Sequence, residues 1–323
     1  MVSRRKFLKQ SGLAAAALTC GTSLLTACTK RPQIEEIGLQ LFTVRDDLAA
    51  NAKQTLMKVA NIGYGHVETF YEYAVEKATG KYWGLTTQEL KQVLSDNNLK
   101  TYSGHYQLNN FLTMGKGQDD ELKQQADIAL ALGQQYLVVP VPPMDLVDKL
   151  TLPDFQFMAD QLNKGGAYCK SVGLKLGYHN HFWEFRTHGA DKKTGYEILL
   201  TNTDADLVTF ELDMFWAVKS GAHPLDLFEQ YPKRFEMWHV KDIDKVKPEV
   251  IVGSQQDSIP SVDILNSIKF TEVGTGTIDY KAIFKQKQVA GMQHFFVEQD
   301  GIYMENHFES IRRSYHYVKE NLV

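Results

Sequence analysis

The sequence predicts an α/β protein built as a single (β/α)8 TIM barrel preceded by an export signal, and three observations carry that prediction. Apolar runs alternate with amphipathic stretches eight times along the chain. Most of the runs are apolar almost throughout, as parallel strands covered on both faces are. The 323 residues, less a leader, suit eight strand–helix units. The competing doubly wound sheet needs a glycine-rich turn after its first strand. Here that position reads RDDLAAN, with no glycine.

The first element is the leader. SRRKFLK (3–9) carries twin arginines, and an Ala-rich apolar run follows from Leu13 to Leu25. That run is short for a membrane span and suits the apolar core of a signal peptide. LTAC (25–28) resembles a lipobox, in which the cysteine becomes the lipidated first residue. The expected organisation is a twin-arginine lipoprotein signal at 1–27, a linker at 28–36 and the barrel at 37–323. The protein is therefore expected at the cell envelope or in the periplasm, touching the membrane only through a lipid anchor at Cys28. Loss of Arg4, Arg5, Lys6 and Lys9, with no acid among residues 1–27, takes the formal charge from −4 to −8. A nucleic acid needs a basic surface and is not an expected partner. Cys20 is removed and Cys28 lipidated, so Cys169 is left without a disulfide partner. The twin-arginine route exports proteins already folded, which suits a metal loaded before export.

The candidate strands follow in order: IGLQLFTV (37–44), HVETF (66–70), LKTYSGHY (99–106), YLVVPV (136–141), LKLGYHNH (174–181), LVTFELDMF (207–215), FEMWHVKD (235–242) and HFFVEQD (294–300). Helical patterns lie between them, including NAKQTLMKVANIG, TTQELKQVLSDNN with its Thr cap, and DDELKQQADIALALG. The endings N-I-G, A-L-G and S-V-G suit glycine C-caps that turn the chain back toward the next strand. The stretch 243–277 reads as a loop insertion after strand seven, and GTGTIDY (274–280) as a loop at the barrel mouth.

In such barrels the chemistry sits at the C-terminal ends of the strands. Glu68 stands on strand two, His105 near the end of strand three, and His179 and His181 at the end of strand five. Glu211 and Asp213 follow on strand six, His239 with Lys241 on strand seven, and Glu298 on strand eight. Burying so many carboxylates and imidazoles is costly unless something balances their charge. A divalent cation would do so, and mixed N/O ligands suit Mn, Zn, Co or Fe. In GYHNHFWEF (177–185), strand alternation puts His179 and His181 on one face, with Glu184 just beyond. Lys241 either pairs with a carboxylate or meets a substrate oxygen. Asp242, on the opposite face from His239, is expected to brace a neighbouring loop.

GYHNHFWEF, ELDMFWAVKSG, MWHVKDID, EVGTGTIDY and FFVEQD together resemble the xylose isomerase-like TIM barrels, which include sugar phosphate isomerases and epimerases and inosose dehydratases and isomerases. The resemblance spans nearly the whole chain after the leader. It implies one divalent metal held from strands five to eight by Glu, Asp, His and Glu. On this sequence Asp213, His239 and Glu298 match, while the first glutamate falls on His179, a departure; His181 is the alternative ligand. The resemblance also implies an isomerase or epimerase working through an enediolate-type intermediate with two bases. Glu298 is one base. His181, His105 or Glu184 takes the place of the missing carboxylate, and Lys241 stands near the substrate.

The expected substrate is a neutral sugar, a keto sugar or an inositol derivative, because only Arg45 and Lys241 are basic near the mouth. Aromatic residues near strand ends, among them Phe42, Phe70, Tyr71, Trp183 and Trp216, suit stacking on sugar faces. Two other functions compete: a metal-dependent lyase or dehydratase on a keto sugar or 3-keto glycoside, and a non-catalytic carbohydrate-binding lipoprotein. An oligomer is compatible with the sequence.

Overall fold

The computed structural model describes residues 36–71 and 81–323. The expected signal peptide, Cys28 and the linker up to residue 35 lie outside the described residues, and so do residues 72–80. No helix among the described residues is long and apolar enough to cross a membrane.

Eight parallel strands close into a barrel: β1 (Gly38–Gln40), β2 (His66–Tyr71), β3 (Lys100–Tyr106), β4 (Tyr136–Val139), β5 (Lys175–His179), β6 (Val208–Asp213), β7 (Met237–Val240) and β8 (His294–Val297). Each strand pairs with its sequence neighbours, and β1 closes the ring on β8 through Gly38–Phe296 and Leu39–Val297. Helices such as Arg45–Ile62, Asp120–Leu132, Leu152–Ser171 and His307–Asn321 wrap the outside. Outward-facing apolar residues of the strands pack on them. Leu39, Val67, Leu137, Leu176, Phe210, Trp238 and Phe295 are all fully buried. Thr86 and Thr151 each cap the helix they precede through a reciprocal capping box. The α/β single-domain barrel expected from the sequence is the fold observed.

The strands stop earlier than the apolar runs suggest, and each stop has a local cause. After Gln40 the chain turns into a 3-10 segment, Leu41–Val44, because the Gln40 amide oxygen accepts the Phe42 N–H at 3.1 Å. β6 ends at Asp213, whose carboxylate caps the helix Met214–Lys219 by accepting Trp216 N–H at 3.0 Å. β5 ends at His179, so His181 stands beyond the strand, just before the 3-10 turn Trp183–Phe185.

The segment 243–277 is only in part a loop. Asp242–Ile243 pairs antiparallel with Phe270–Thr271, and a helix Ser261–Ser267 lies between them. Asp148 fastens it by accepting from Ser261 N at 3.0 Å. Asp242 braces the GTGT turn, accepting from Gly274 N at 2.9 Å and Gly276 N at 3.1 Å. A Cβ at Gly276 would overlap Asp242 Oδ1, and Gly274 holds φ near +90°, which only glycine adopts cheaply. This motif serves the fold, and none of its residues lines the cavity at the mouth.

Inside the barrel, Tyr136, Val138, Met237 and Phe296 form an apolar base. Above them the interior turns polar, with Gln40, Glu68, Glu211, Asp213 and His239 all at 0% exposure. Buried polar groups at this density are sustained only by mutual pairing or by a ligand.

Candidate metal centre

A cavity of about 320 Å³ opens at the C-terminal end of the strands. One wall is apolar, from Phe42, Phe70, Pro140 and Val141. The other is polar, from His105, Gln107, His179, His181, Lys241, Glu298 and Asp300. Strand alternation delivers the polar groups: Glu211 and Asp213 on β6, His239 and Lys241 around β7, and Glu298 and Asp300 after β8 are each two residues apart.

The donors converge tightly. His239 meets a carboxylate at each ring nitrogen, Nδ1 at Glu298 Oε2 (2.6 Å) and Nε2 at Glu68 Oε2 (2.7 Å). His105 Nε2 lies 2.7 Å from Glu211 Oε2, and His179 Nδ1 lies 3.1 Å from the same oxygen. His179 Nε2 faces Asp213 Oδ2 at 3.7 Å. Lys241 Nζ sits among three carboxylates: Glu298 at 2.7 Å, Asp213 at 2.9 Å and Asp300 at 2.9 Å. Asp213 Oδ2 nevertheless lacks an aligned hydrogen bond, as do the buried Glu68 Oε1, Glu211 Oε1 and His181 Nδ1.

Electrostatics follow the geometry. Burial opposes charge on His239, but Glu211 and Glu298 outweigh it and hold the imidazolium form well above the usual histidine range. Burial likewise opposes charge on His105, and Glu68 with Glu211 still lifts it to about 9. Burial, then His239 and His105, push His179 far down. His181 falls well below its ordinary value through burial and then the Lys241 charge. Burial raises Asp213, and it pushes the partly exposed Asp300 up to about 6 against the pull of Lys241. Glu298 stays well below its usual range because Lys241 and His239 overcome burial.

Two overlapping sets of donor atoms can hold a metal, Asp213–His239–Glu298 and His105–His179–Glu211–His239, each within 4.8 Å of one another. The misaligned Asp213 Oδ2 and the mixed N/O chemistry fit a divalent cation.

His181 lines the cavity with its ring stacked between Trp183 (4.9 Å) and Trp216 (5.2 Å). Glu184 is a correction. Expected beside His181 as a proton carrier, it folds away from the cavity. One of its oxygens accepts from Tyr178 OH at 2.7 Å and the other from His181 N–H at 2.9 Å. The reason is the early end of β5: a 3-10 turn at Trp183–Phe185 breaks the alternation that would have carried Glu184 to the site. Its two donors hold the His181 turn in place. Among the aromatics, Phe42 and Phe70 face the cavity, Trp238 packs outside the barrel on Phe228, and the Tyr71 side chain lies outside the described set. Asp300 and Gln107 are cavity residues that sequence reasoning passed over. Period-two spacing from Glu298 and His105 was the available signal.

Burial raises Glu184 from 4.5 to about 7. An acid whose folded pKa is raised contributes stability that is full below about 4.5 and is lost as pH rises through about 7. The stability of wild type relative to Glu184→Gln, which mimics the protonated form, should fall across that window by up to about 3 kcal/mol. Paired denaturant titrations at pH 4.5 and 8 measure it; an equal difference at both would refute the assignment.

A closed (β/α)8 barrel with a buried histidine–carboxylate cluster at its strand C-termini defines a class of barrels whose interior groups could hold a metal ion. The chain belongs to the xylose isomerase-like TIM barrel family, whose model matches residues 56–299. It is 27% identical over 249 residues to an inosose dehydratase of Clostridium botulinum, covering 72% of this chain and 80% of that one. A sugar phosphate isomerase/epimerase from Parabacteroides distasonis superposes with a TM-score of 0.72 at 25% identity, over 91% of this chain and 96% of that one. The protein IOLI, whose crystal structure carries a zinc atom, shares the fold with a TM-score of 0.65 at 16% identity, over 89% and 98% of the two chains. Homologues of this chain are thus sugar isomerases or epimerases and inosose dehydratases.

Proposed function

We propose that the protein is a metal-dependent isomerase or epimerase of a neutral sugar, keto sugar or inositol derivative, acting by removal and return of a proton beside a carbonyl. The convergence of His179, Asp213, His239 and Glu298, of which His179 and Glu298 line the cavity, carries this reading. These four residues would hold one divalent ion. When bound, such an ion polarises a substrate carbonyl and stabilises the negative charge that develops on it.

The chain's own residues do the rest. Asp300, raised by burial to about 6, suits proton uptake near neutral pH. Glu298 is held anionic by Lys241 and His239, so it serves as a ligand first and as a base second. Lys241 fixes Asp213, Glu298 and Asp300 in one arrangement. His181, kept neutral and stacked on two indoles, lines the cavity and can give or take the second proton. Phe42 and Phe70 offer apolar faces for a sugar ring. The cations on the described cavity wall, Lys241 and the protonated His105, are each already paired with carboxylates, which favours a neutral substrate over a phosphorylated one.

A second reading uses the same site. A neutral imidazole beside the cavity is suited to protonating a leaving group, and the inosose dehydratase relatives point the same way, so elimination from a keto sugar or 3-keto glycoside is the alternative. The test is bound-metal analysis followed by solvent deuterium uptake into a panel of neutral ketoses, inososes and 3-keto glycosides. Exchange without fragmentation supports isomerase or epimerase, and release of water or aglycone supports the lyase. A metal-replete protein that exchanges no substrate would leave only carbohydrate binding.

A further inference from the structure

Two carboxylates beneath the proposed ligands have no part in that reading. Glu68 on β2 and Glu211 on β6 are both at 0% exposure. Their ion-pair partners among the described residues are imidazoles alone: His105 and His239 for both, with His179 added for Glu211. Desolvating two carboxylates is expensive, so their place under the site calls for a reason.

An ionised carboxylate only accepts hydrogen bonds. The imidazole nitrogen that faces it therefore carries the hydrogen, and the opposite nitrogen is left for a metal. Glu211 Oε2 lies 3.1 Å from His179 Nδ1, so His179 Nε2 is the free nitrogen, and that atom faces Asp213 Oδ2 at 3.7 Å. Glu68 Oε2 lies 2.7 Å from His239 Nε2. His239 meets a carboxylate at both nitrogens, but Glu298 (2.6 Å) and Asp213 (4.0 Å) on the Nδ1 side are themselves proposed ligands, so Nδ1 is the nitrogen whose hydrogen the cation would replace.

Register explains why the two rings use opposite nitrogens. The β5–β6 pairing sets Glu211 beside His179, while the β6–β7 pairing sets Asp213 beside His239. The strand that supplies the proposed ligand Asp213 thus supplies, two residues earlier, the acceptor that turns His179. Gln40 Nε2 in turn donates to Glu68 Oε2 at 2.7 Å and holds that carboxylate in place.

We infer that Glu211 and Glu68 are positioning residues that select which ring nitrogens hold the cation, Nε2 of His179 and Nδ1 of His239. The inference rests on the proposed cation at His179, Asp213, His239 and Glu298 and deepens it. Carboxylates that accept from the far nitrogen of a ligating histidine fix its tautomer and raise its basicity, and losing one weakens metal binding about 10–100-fold.

The test uses Zn²⁺ alone as probe. The full chain, labelled with 15N-histidine, is loaded with Zn²⁺, and its imidazole nitrogens are read by NMR beside chelator-competition affinities for wild type and Glu211→Gln. The expected wild-type spectrum shows one ligating ring protonated at Nδ1 and another protonated at Nε2. Glu211→Gln should weaken Zn²⁺ about 10–100-fold and disturb the Nδ1-protonated ring. A loss of fold alone would not change which nitrogen is protonated in the remaining loaded protein. An affinity within about twofold of wild type, or His179 protonated at Nε2 in the zinc form, overturns the inference while leaving the cation site standing. A wild-type chain that takes up no Zn²⁺, Mn²⁺ or Co²⁺ overturns the cation reading and this inference with it. Should Glu211→Gln not fold, Glu68→Gln carries the same test through His239.

Discussion

Asp213→Asn should purify without its metal and lose substrate exchange about 10³-fold. The figure follows from the several kcal/mol of charge stabilisation that a bound cation supplies, at 1.36 kcal/mol per factor of ten. The substitution is chosen because it spares the fold. Asp213 does two things at once: one oxygen accepts Trp216 N–H and caps a helix, and the other faces His179, His239 and Lys241. Asparagine keeps a cap acceptor, so thermal stability of the metal-free form should change little. It gives up the negative charge that a cation needs. Metal analysis of the purified variant and deuterium exchange check the two halves separately. Full wild-type metal content in Asp213→Asn would remove this residue from the ligand set.

His179→Ala and His181→Ala should part company. His179 is 1% exposed and wedged between Glu211 and Asp213, so its removal should empty the metal site. His181 contacts no carboxylate through its ring, stands between two indoles and lines the cavity. Its removal should leave the metal in place and lower turnover about 10²–10⁴-fold, the usual worth of a positioned acid or base. Metal content and turnover measured on both variants give the answer. A His181→Ala protein that loses its metal, or a His179→Ala protein that keeps it, would make His181 the ligand in place of His179.

The strand-end groups were legible because they obey a local rule. His105, His179, Asp213, His239 and Glu298 each close an apolar run, and all of them come together at one end of the barrel. Glu184 was misplaced because the rule stops where the strand stops. Once β5 ends at His179, alternation no longer says where a side chain goes, and the carboxylate turned back to Tyr178 OH. Asp300 obeyed the rule but stood in the shadow of Glu298 two residues away, whereas Glu211 was legible beside Asp213 on its strand. Gln40 was hidden for another reason: it reads as a polar residue within an apolar run, and its partner Glu68 is 28 positions distant.

The sequence by itself determined the eight strands, the helices between them, the family and the kinds of group that reach the barrel mouth. These are consequences of periodicity and of side-chain type, which operate over a few residues. Tertiary structure decided which of those groups touch. Barrel closure brings Glu68 to His239, 171 positions away, and sets Lys241 among three carboxylates from two strands. It also decided which nitrogen of each histidine faces which carboxylate. That choice depends on interstrand register and on acceptors buried out of water, where an unpaired charge is too costly to leave.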